Sequence, residues 1–152
     1  MSMVWTTSSF GQLGKRELFE IVRLRQDIFI VEQQCIYRDL DGLDEGSFHM
    51  RAYHNGDLAA YQRLLPPGLS YPESSIGRIL VSPALRGKQL GRELVERGVD
   101  YNRNHWPDSD IRIGAQAHLS DFYSSVGFVI AGDEYLDDGI PHIEMLLSAQ
   151  SS

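Results

Sequence analysis

The apolar positions change period several times along the chain. Leu18, Ile21, Val22, Arg25, Ile28 and Phe29 recur at close to helical spacing, which predicts an amphipathic helix over residues 14–30. Phe48, Met50 and Ala52 then alternate with His49, Arg51 and Tyr53, and a second strand-like run follows from Leu58 to Leu65. Asn55-Gly56 between them tolerates positive φ, so the two runs should pair as an antiparallel hairpin. Pro66-Pro67-Gly68 and Pro72 make residues 65–75 a loop by composition. Ile76 to Val81 reads as a third strand ended by Ser82-Pro83, after which Leu90, Leu94, Val95 and Val99 keep a helical period until Trp106-Pro107. Ile111, Ile113 and Ala115 alternate again. Leu119, Phe122, Tyr123 and Val126 fall at i, i+3, i+4 and i+7 on a short helix stopped by Gly127. Phe128 to Ala131 and Ile143 to Leu147 read as the closing strands, while Met1 to Phe10 is polar and is assigned no element.

Helix, hairpin, strand, helix, strand, helix and two strands make an α/β fold, a mixed sheet with helices packed on its faces. The strand-helix-strand unit across residues 76–116 is the natural parallel pair. No repeat, low-complexity tract or linker divides the chain, and 152 residues suffice for a single domain spanning 1–152.

Composition changes this picture little. Hydrophobic residues at 42% and charged residues at 23% are ordinary for a globular domain and exclude a disordered or fibrous chain. No apolar run is long enough to cross a bilayer and the first residues lack the pattern of a leader, so no membrane partner is expected and the expected compartment is the cytoplasm. The lone Cys35 has no internal partner and reads as a buried structural thiol. A formal charge of −7 lacks the basic footprint that nucleic acid requires.

The distribution of charge is more informative than its total. Arg78, Arg86, Lys88, Arg92 and Arg97 face only Glu93 and Glu96 in the same stretch, which points to a small bound anion or to a solvated helix face of mixed charge. The acidic stretches Asp39 to Glu45 and Asp133 to Asp138 could steer a cationic amine or be solvated loops. Paired Cys or His spacings for zinc and the full calcium-loop pattern are missing, so no metal is expected.

Arg86-Gly87-Lys88-Gln89-Leu90-Gly91-Arg92 lies between the third strand and the long helix. A helix start carries unpaired N–H groups and the positive end of the macrodipole, so a loop of small residues before it can wrap a pyrophosphate. Gly87 and Gly91 remove side chains at that approach, and Arg86, Lys88 and Arg92 add charge at the rim. The glycine spacing fits neither the phosphate loop of nucleotide hydrolases nor the dinucleotide fingerprint.

This segment resembles the cofactor loop of the GNAT superfamily of N-acetyltransferases, with Gln89 where a central glycine is usual. Ile79-Leu80-Val81-Ser82-Pro83 is similar to the family strand and turn before the loop. Asp121 to Phe128 is similar to its later "FYxxxGF" helix. Val31-Glu32-Gln33, Gly114 to Leu119 and Asp138 to Ile143 further resemble the ElaA-like branch, so the likeness covers nearly the whole chain. The resemblance implies a mostly antiparallel sheet whose central parallel strand pair splays at the cofactor site, with helices on both faces. It implies an acetyl-CoA donor held by Ile79, Leu80 and Val81 through their backbones and by Arg86, Gly87, Lys88, Gln89, Leu90, Gly91 and Arg92. It also implies direct attack by an amine, small molecule or peptide, and a possible homodimer.

Acyl transfer needs a proton donor for the departing thiolate and a base for the amine. The resemblance puts Tyr123 beside the thioester sulfur. The glutamate that many relatives carry on the third strand is replaced here by Gly77, beside Arg78, which leaves Glu32, Asp41, His118 and His142 as candidate bases. Glu32 and His142 are preferred because both fall in segments shared with the ElaA-like branch. A second reading, suggested by Gln89 and the missing glutamate, is a module that senses acyl-CoA without turnover.

Overall fold

The helical period beginning at Leu90 becomes the long helix around which the site is built. The computed structural model describes residues 2–150. Its elements are β1 (Val4–Ser9), α1 (Lys15–Arg25), β2 (Phe48–His54), β3 (Asp57–Leu65), β4 (Ser75–Val81), α2 (Leu90–His105), β5 (Ile111–Gln116), α3 (Ser120–Val126), β6 (Val129–Ile130), β7 (Tyr135–Asp137) and β8 (Ile140–Leu147). Strands β1-β2-β3-β4 form one antiparallel sheet; β5-β8-β6 form a second, with β7 also paired to β8.

Helix α2 buries Leu90, Leu94, Val95 and Val99 against the core. Each such side chain contributes roughly 1.5–3 kcal/mol when fully withdrawn from water. Close contact with β3 requires Gly98, where a Cβ would lie 2.6 Å from Gln62 Nε2. Gln62 is fully buried and donates from that nitrogen to the Leu94 carbonyl at 2.7 Å, pinning helix to sheet.

On the opposite face, α1 runs straight into a π-helical segment, Gln26–Glu32. Its wide turns are visible where the Gln33 and Cys35 amides each reach back five residues, to the Ile28 and Ile30 carbonyls at 3.1 Å. The helix predicted over 14–30 is therefore α-helical only to Arg25. Ile21, Ile28 and Phe29 pack there against Tyr61 and Leu80.

Strand β1 was not anticipated. It is an edge strand, paired only with β2, in which only Trp5 packs on the core and the Thr6-Thr7-Ser8-Ser9 run carries no apolar alternation. The expected parallel pair is β4 and β5. They meet through a single parallel bridge, Ser74 with Ile111, and the Arg112 amide donates to the Ser74 carbonyl at 2.9 Å before the strands part. Asn102 of α2, fully buried, holds this vertex by donating to Ser74 Oγ (3.2 Å) and the Ser75 carbonyl (3.1 Å).

A bulge re-aims β4 above the vertex. Arg63 faces Gly77, but Tyr61 already faces Leu80, so β4 carries one residue more than β3 at Arg78, whose φ is 50°. Because side chains alternate with period two, the extra residue swaps faces. Ile76, Ile79 and Val81 all pack on the α2 side, whereas Leu80 turns to the α1 side.

Candidate functional site

Parting β4 from β5 opens a cleft of ≈ 470 Å³. Its walls are Ile76 to Val81 of β4 and Ile113 to Gln116 of β5; Tyr123 and His118 stand beside β5, Phe29 and Glu32 come from the π segment, and Asp137, Asp138 and His142 come from the β7–β8 hairpin. The cleft thus gathers the three predicted catalytic residues, Tyr123, Glu32 and His142, with Ile79, Leu80, Val81 and Arg86 of the predicted cofactor set.

The backbone of β4 offers hydrogen-bonding groups to the cleft. The Ser82 amide donates to the Ala59 carbonyl at 2.7 Å, so by alternation Leu80 also faces β3, and the peptide groups of Ile79 and Val81 turn toward the gap. The Val81 carbonyl is met there by Arg86 Nε at 3.4 Å.

Beyond Val81 the loop delivers the start of α2. The first intrahelical bond runs from the Glu93 amide to the Gln89 carbonyl (3.1 Å), and no side chain caps the helix start. The amides of Leu90, Gly91 and Arg92 are therefore without protein acceptors, an arrangement suited to an anion. Gly87 has φ 80° and Gln89 φ 62°, both left-handed. Gln89 thus takes the backbone conformation that a glycine would supply at this position. Gly91 is less demanding, since a Cβ there would meet only Val81 Cγ2 at 3.8 Å.

The loop cations divide. Arg86 Nη1 is ion-paired with Glu32 at 2.8 Å, across the mouth of the cleft. Arg92 is drawn away by Glu96 (2.9 Å), Ser125 Oγ (2.9 Å) and the Ser125 carbonyl (3.1 Å), so its amide and not its guanidinium serves the helix start. Lys88 makes no ion pair among the described residues.

The segment from Phe122 to Phe128 acts as a unit to place Tyr123. Gly127 ends α3 with φ 115°, and its amide donates to the Ser124 carbonyl at 3.0 Å. The Phe128 amide closes on the Tyr123 carbonyl at 3.1 Å, the reach of a helix-terminating glycine motif. The same phenylalanine packs edge-on to the Tyr123 ring, 6.0 Å between centroids at 81°. Tyr123 is only 7% exposed, yet its hydroxyl meets no protein partner. Burial pushes that hydroxyl up to about 12, so it holds its proton at neutral pH.

The candidate bases separate by geometry. His142 Nδ1 lies 2.7 Å from the Ile140 carbonyl. A carbonyl only accepts, so Nδ1 carries the proton and the lone pair of the neutral ring sits on Nε2. His118 lines the same cleft without such an anchor. Glu32 is already engaged by the Arg86 guanidinium. Asp41 is outside the cleft lining. Burial opposes its charge, but hydrogen bonds from Arg63 and the Leu43 amide, with Arg78 nearby, hold its pKa down to about 2.

Asp41 belongs to a cluster that sequence reasoning missed. Asp39 meets Arg25 and Arg78, each at 2.8 Å; Asp41 meets Arg63 (2.6 Å) and Arg78 (3.2 Å); Asp44 meets Arg25 (2.7 Å) and Arg63 (3.2 Å). The stretch from Asp39 to Glu45 therefore turns Asp39, Asp41 and Asp44 onto internal cations, while Leu40, Gly42 and Glu45 stay exposed. It neutralises three arginines, of which Arg25 is 1% exposed. Arg78 is also set against the Tyr37 ring, 5.6 Å from its centroid, so the left-handed bulge residue is held from several sides. These pairs join residues far apart in sequence and leave no periodic trace. The one available signal was an excess of arginine at positions facing the core.

Comparison with known proteins agrees with this architecture. The chain belongs to the acetyltransferase (GNAT) domain family, whose pattern its residues 24–149 match. It is 39% identical to protein ElaA of Escherichia coli K12 over 143 residues, 93% of this chain and 94% of that one. A UPF0039 protein of Synechocystis is 42% identical over 147 residues, 96% of each. Among solved structures, an acyl-CoA N-acyltransferase from Pseudomonas aeruginosa superposes with a TM-score of 0.92 at 40% identity, covering 97% of this chain and all (100%) of that one. E. coli ElaA superposes at 0.91 with 37% identity and the same coverage, 97% and 100%. The fold is accordingly that of an acyl-CoA-dependent N-acyltransferase.

Proposed function

We propose that the whole chain acts as a single N-acyltransferase domain that moves acetyl from acetyl-CoA to an amine, with Tyr123 as proton donor and His142 as base. The observation that carries this reading is the pairing of an uncapped α2 start with Tyr123, a buried residue whose hydroxyl has no hydrogen-bond partner among the described residues, in the cleft that leads from it. The free amides of Leu90 to Arg92 suit the diphosphate of coenzyme A, with Gly87, Gln89 and Lys88 shaping the turn. Ile79 and Val81 offer peptide groups to an extended arm lying between the strands, and Leu80 anchors β4 from behind. What the donor supplies is an activated thioester.

The amine nitrogen forms a bond to the thioester carbonyl carbon and gives its proton to His142 Nε2. The carbon–sulfur bond then breaks, and the thiolate takes the proton of Tyr123, which regains one from solvent as His142 releases the amine's proton to it. A hydroxyl raised to about 12 is neutral and ready to donate across the working range. Glu32 is assigned to holding Arg86 and not to proton transfer. A non-catalytic acyl-CoA sensor is disfavoured, because Gln89 adopts the glycine conformation and His142 offers a free lone pair.

Substituting Tyr123→Phe tests the assignment. Thiol release from acetyl-CoA with an accepted amine should fall about a hundredfold, while coenzyme A affinity by titration calorimetry stays within twofold. Undiminished turnover would remove Tyr123 from the mechanism, and absence of coenzyme A binding by the unaltered protein would remove the whole reading.

A further inference from the structure

The end of the cleft formed by the β7–β8 hairpin carries charge that no ion pair among the described residues neutralises. The other charged groups lining the cleft are paired: Arg78 with Asp39 and Asp41, and Arg86 with Glu32. Asp137 and Asp138 line the cleft beside His142 and make no ion pair among the described residues. Arg112, the cation on this side of β5, is already shared by Glu73 (2.9 Å) and Glu144 (3.0 Å).

Aromatic oxygen adds to this field. Gly114 of β5 lines the cleft, and a Cβ there would lie 2.8 Å from the Tyr135 hydroxyl and 3.3 Å from that of Tyr71. The two hydroxyls therefore converge over bare backbone, and neither has a protein hydrogen-bond partner among the described residues. Burial first, then the neighbouring Tyr135, Glu144 and Asp137, push the Tyr71 hydroxyl up to about 12, as expected where negative charge is already concentrated. Tyr123, buried and with no hydrogen-bond partner for its hydroxyl among the described residues, lines the same cleft, a polar group left for a ligand to meet.

We infer that the acceptor is an amine bearing a second positive charge: one nitrogen reacts beside His142, and the other is held by Asp137 and Asp138 next to the Tyr135 hydroxyl. Tyr135 pairs in register with His142, and Asp137 lies two residues farther along β7, about 7 Å away. That separation suits two nitrogens joined by a short carbon chain. A monoamine fills only the reacting position, and an acidic or neutral acceptor loses the attraction. This inference rests on the reading of the cleft as an N-acyltransferase site.

The test compares putrescine with n-butylamine, the same carbon chain with one ammonium removed. Each is titrated calorimetrically into the protein saturated with coenzyme A, and each is offered with acetyl-CoA while thiol release is followed. Putrescine should bind at least tenfold more tightly, and the Asp137→Asn, Asp138→Asn double variant should lose that preference with its coenzyme A affinity unchanged. Equal binding of the two amines, or a preference that survives in the double variant, overturns the inference. If both amines are acetylated equally well, the transferase reading stands and the dicationic acceptor falls. If putrescine binds preferentially but no amine releases thiol, the transferase reading falls and takes the acceptor with it, leaving only a diammonium-binding cleft.

Discussion

Two acidic stretches that look alike in the sequence have opposite surroundings in the fold. Asp39, Asp41 and Asp44 are turned inward onto Arg25, Arg63 and Arg78, and Asp39 is only 6% exposed. Asp137 and Asp138 sit on an exposed hairpin at the cleft with no cation of their own. The first set is spent within the protein and shapes β4; the second is available to something else. Whether a carboxylate is paired, and not how many stand in a row, decides what it does.

The sharpest way to break that contrast is a pair of matched substitutions. Asp39→Asn leaves Arg25 buried with one carboxylate fewer and should cost about 3–5 kcal/mol of folding stability, read from urea denaturation midpoints. Asp137→Asn touches no internal pair and should stay within about 0.5 kcal/mol of the parent. Similar losses for both would erase the distinction.

Acid should discriminate next. The carboxyl of Asp41 is held down to about 2 from an ordinary 3.8. Asp44 is lowered as well; burial opposes its charge, but Arg25 and Arg63 prevail. Both folded-state values lie below the unfolded ones, so the unfolded chain binds more protons in this window. Their stabilisation is full above about pH 4 and is lost as pH falls toward 2, roughly 2 kcal/mol for Asp41 alone. Thermal melts across that window should drop steeply, and in Asp41→Asn they should drop less.

A smaller effect separates holding the bulge from touching a ligand. Arg78→Met removes the pairs that offset a left-handed residue, and the apparent KM for acetyl-CoA should rise about tenfold, roughly 1.4 kcal/mol, with kcat little changed. Arg78→Gly tolerates φ 50° without those pairs and should recover most of the loss. Equal impairment in both would mean that the guanidinium acts on the ligand directly. The smallest shift is expected away from both acidic stretches: Gln89→Gly relieves a left-handed residue and should stabilise by about 1 kcal/mol or less, measurable as a slight rise in melting temperature.

Much of the frame was legible from residue patterns. The period of Leu90, Leu94, Val95 and Val99 placed α2, and Gly127 with Phe128 marked the turn that fixes Tyr123, because local geometry writes itself into local sequence. The loop before α2 was singled out by resemblance, although Gln89 hid a glycine-like conformation behind a side chain. The bulge at Arg78 and the arginine–aspartate cluster were not. Their causes are contacts between residues 14 to 39 positions apart, which neither period nor composition records. The edge strand β1 escaped for a related reason, since a strand that sends only Trp5 to the core needs no apolar alternation.

The wide-turned segment between Gln26 and Glu32 has a consequence at the level of the gene. A wide turn holds one residue more than an ordinary one, so the surplus is absorbed inside the helix. Losing one codon there would let the helix rewind to ordinary α geometry with the turns on either side nearly in place. A single in-frame deletion between Gln26 and Glu32 is therefore a change of length that this enzyme's first helix can take up locally.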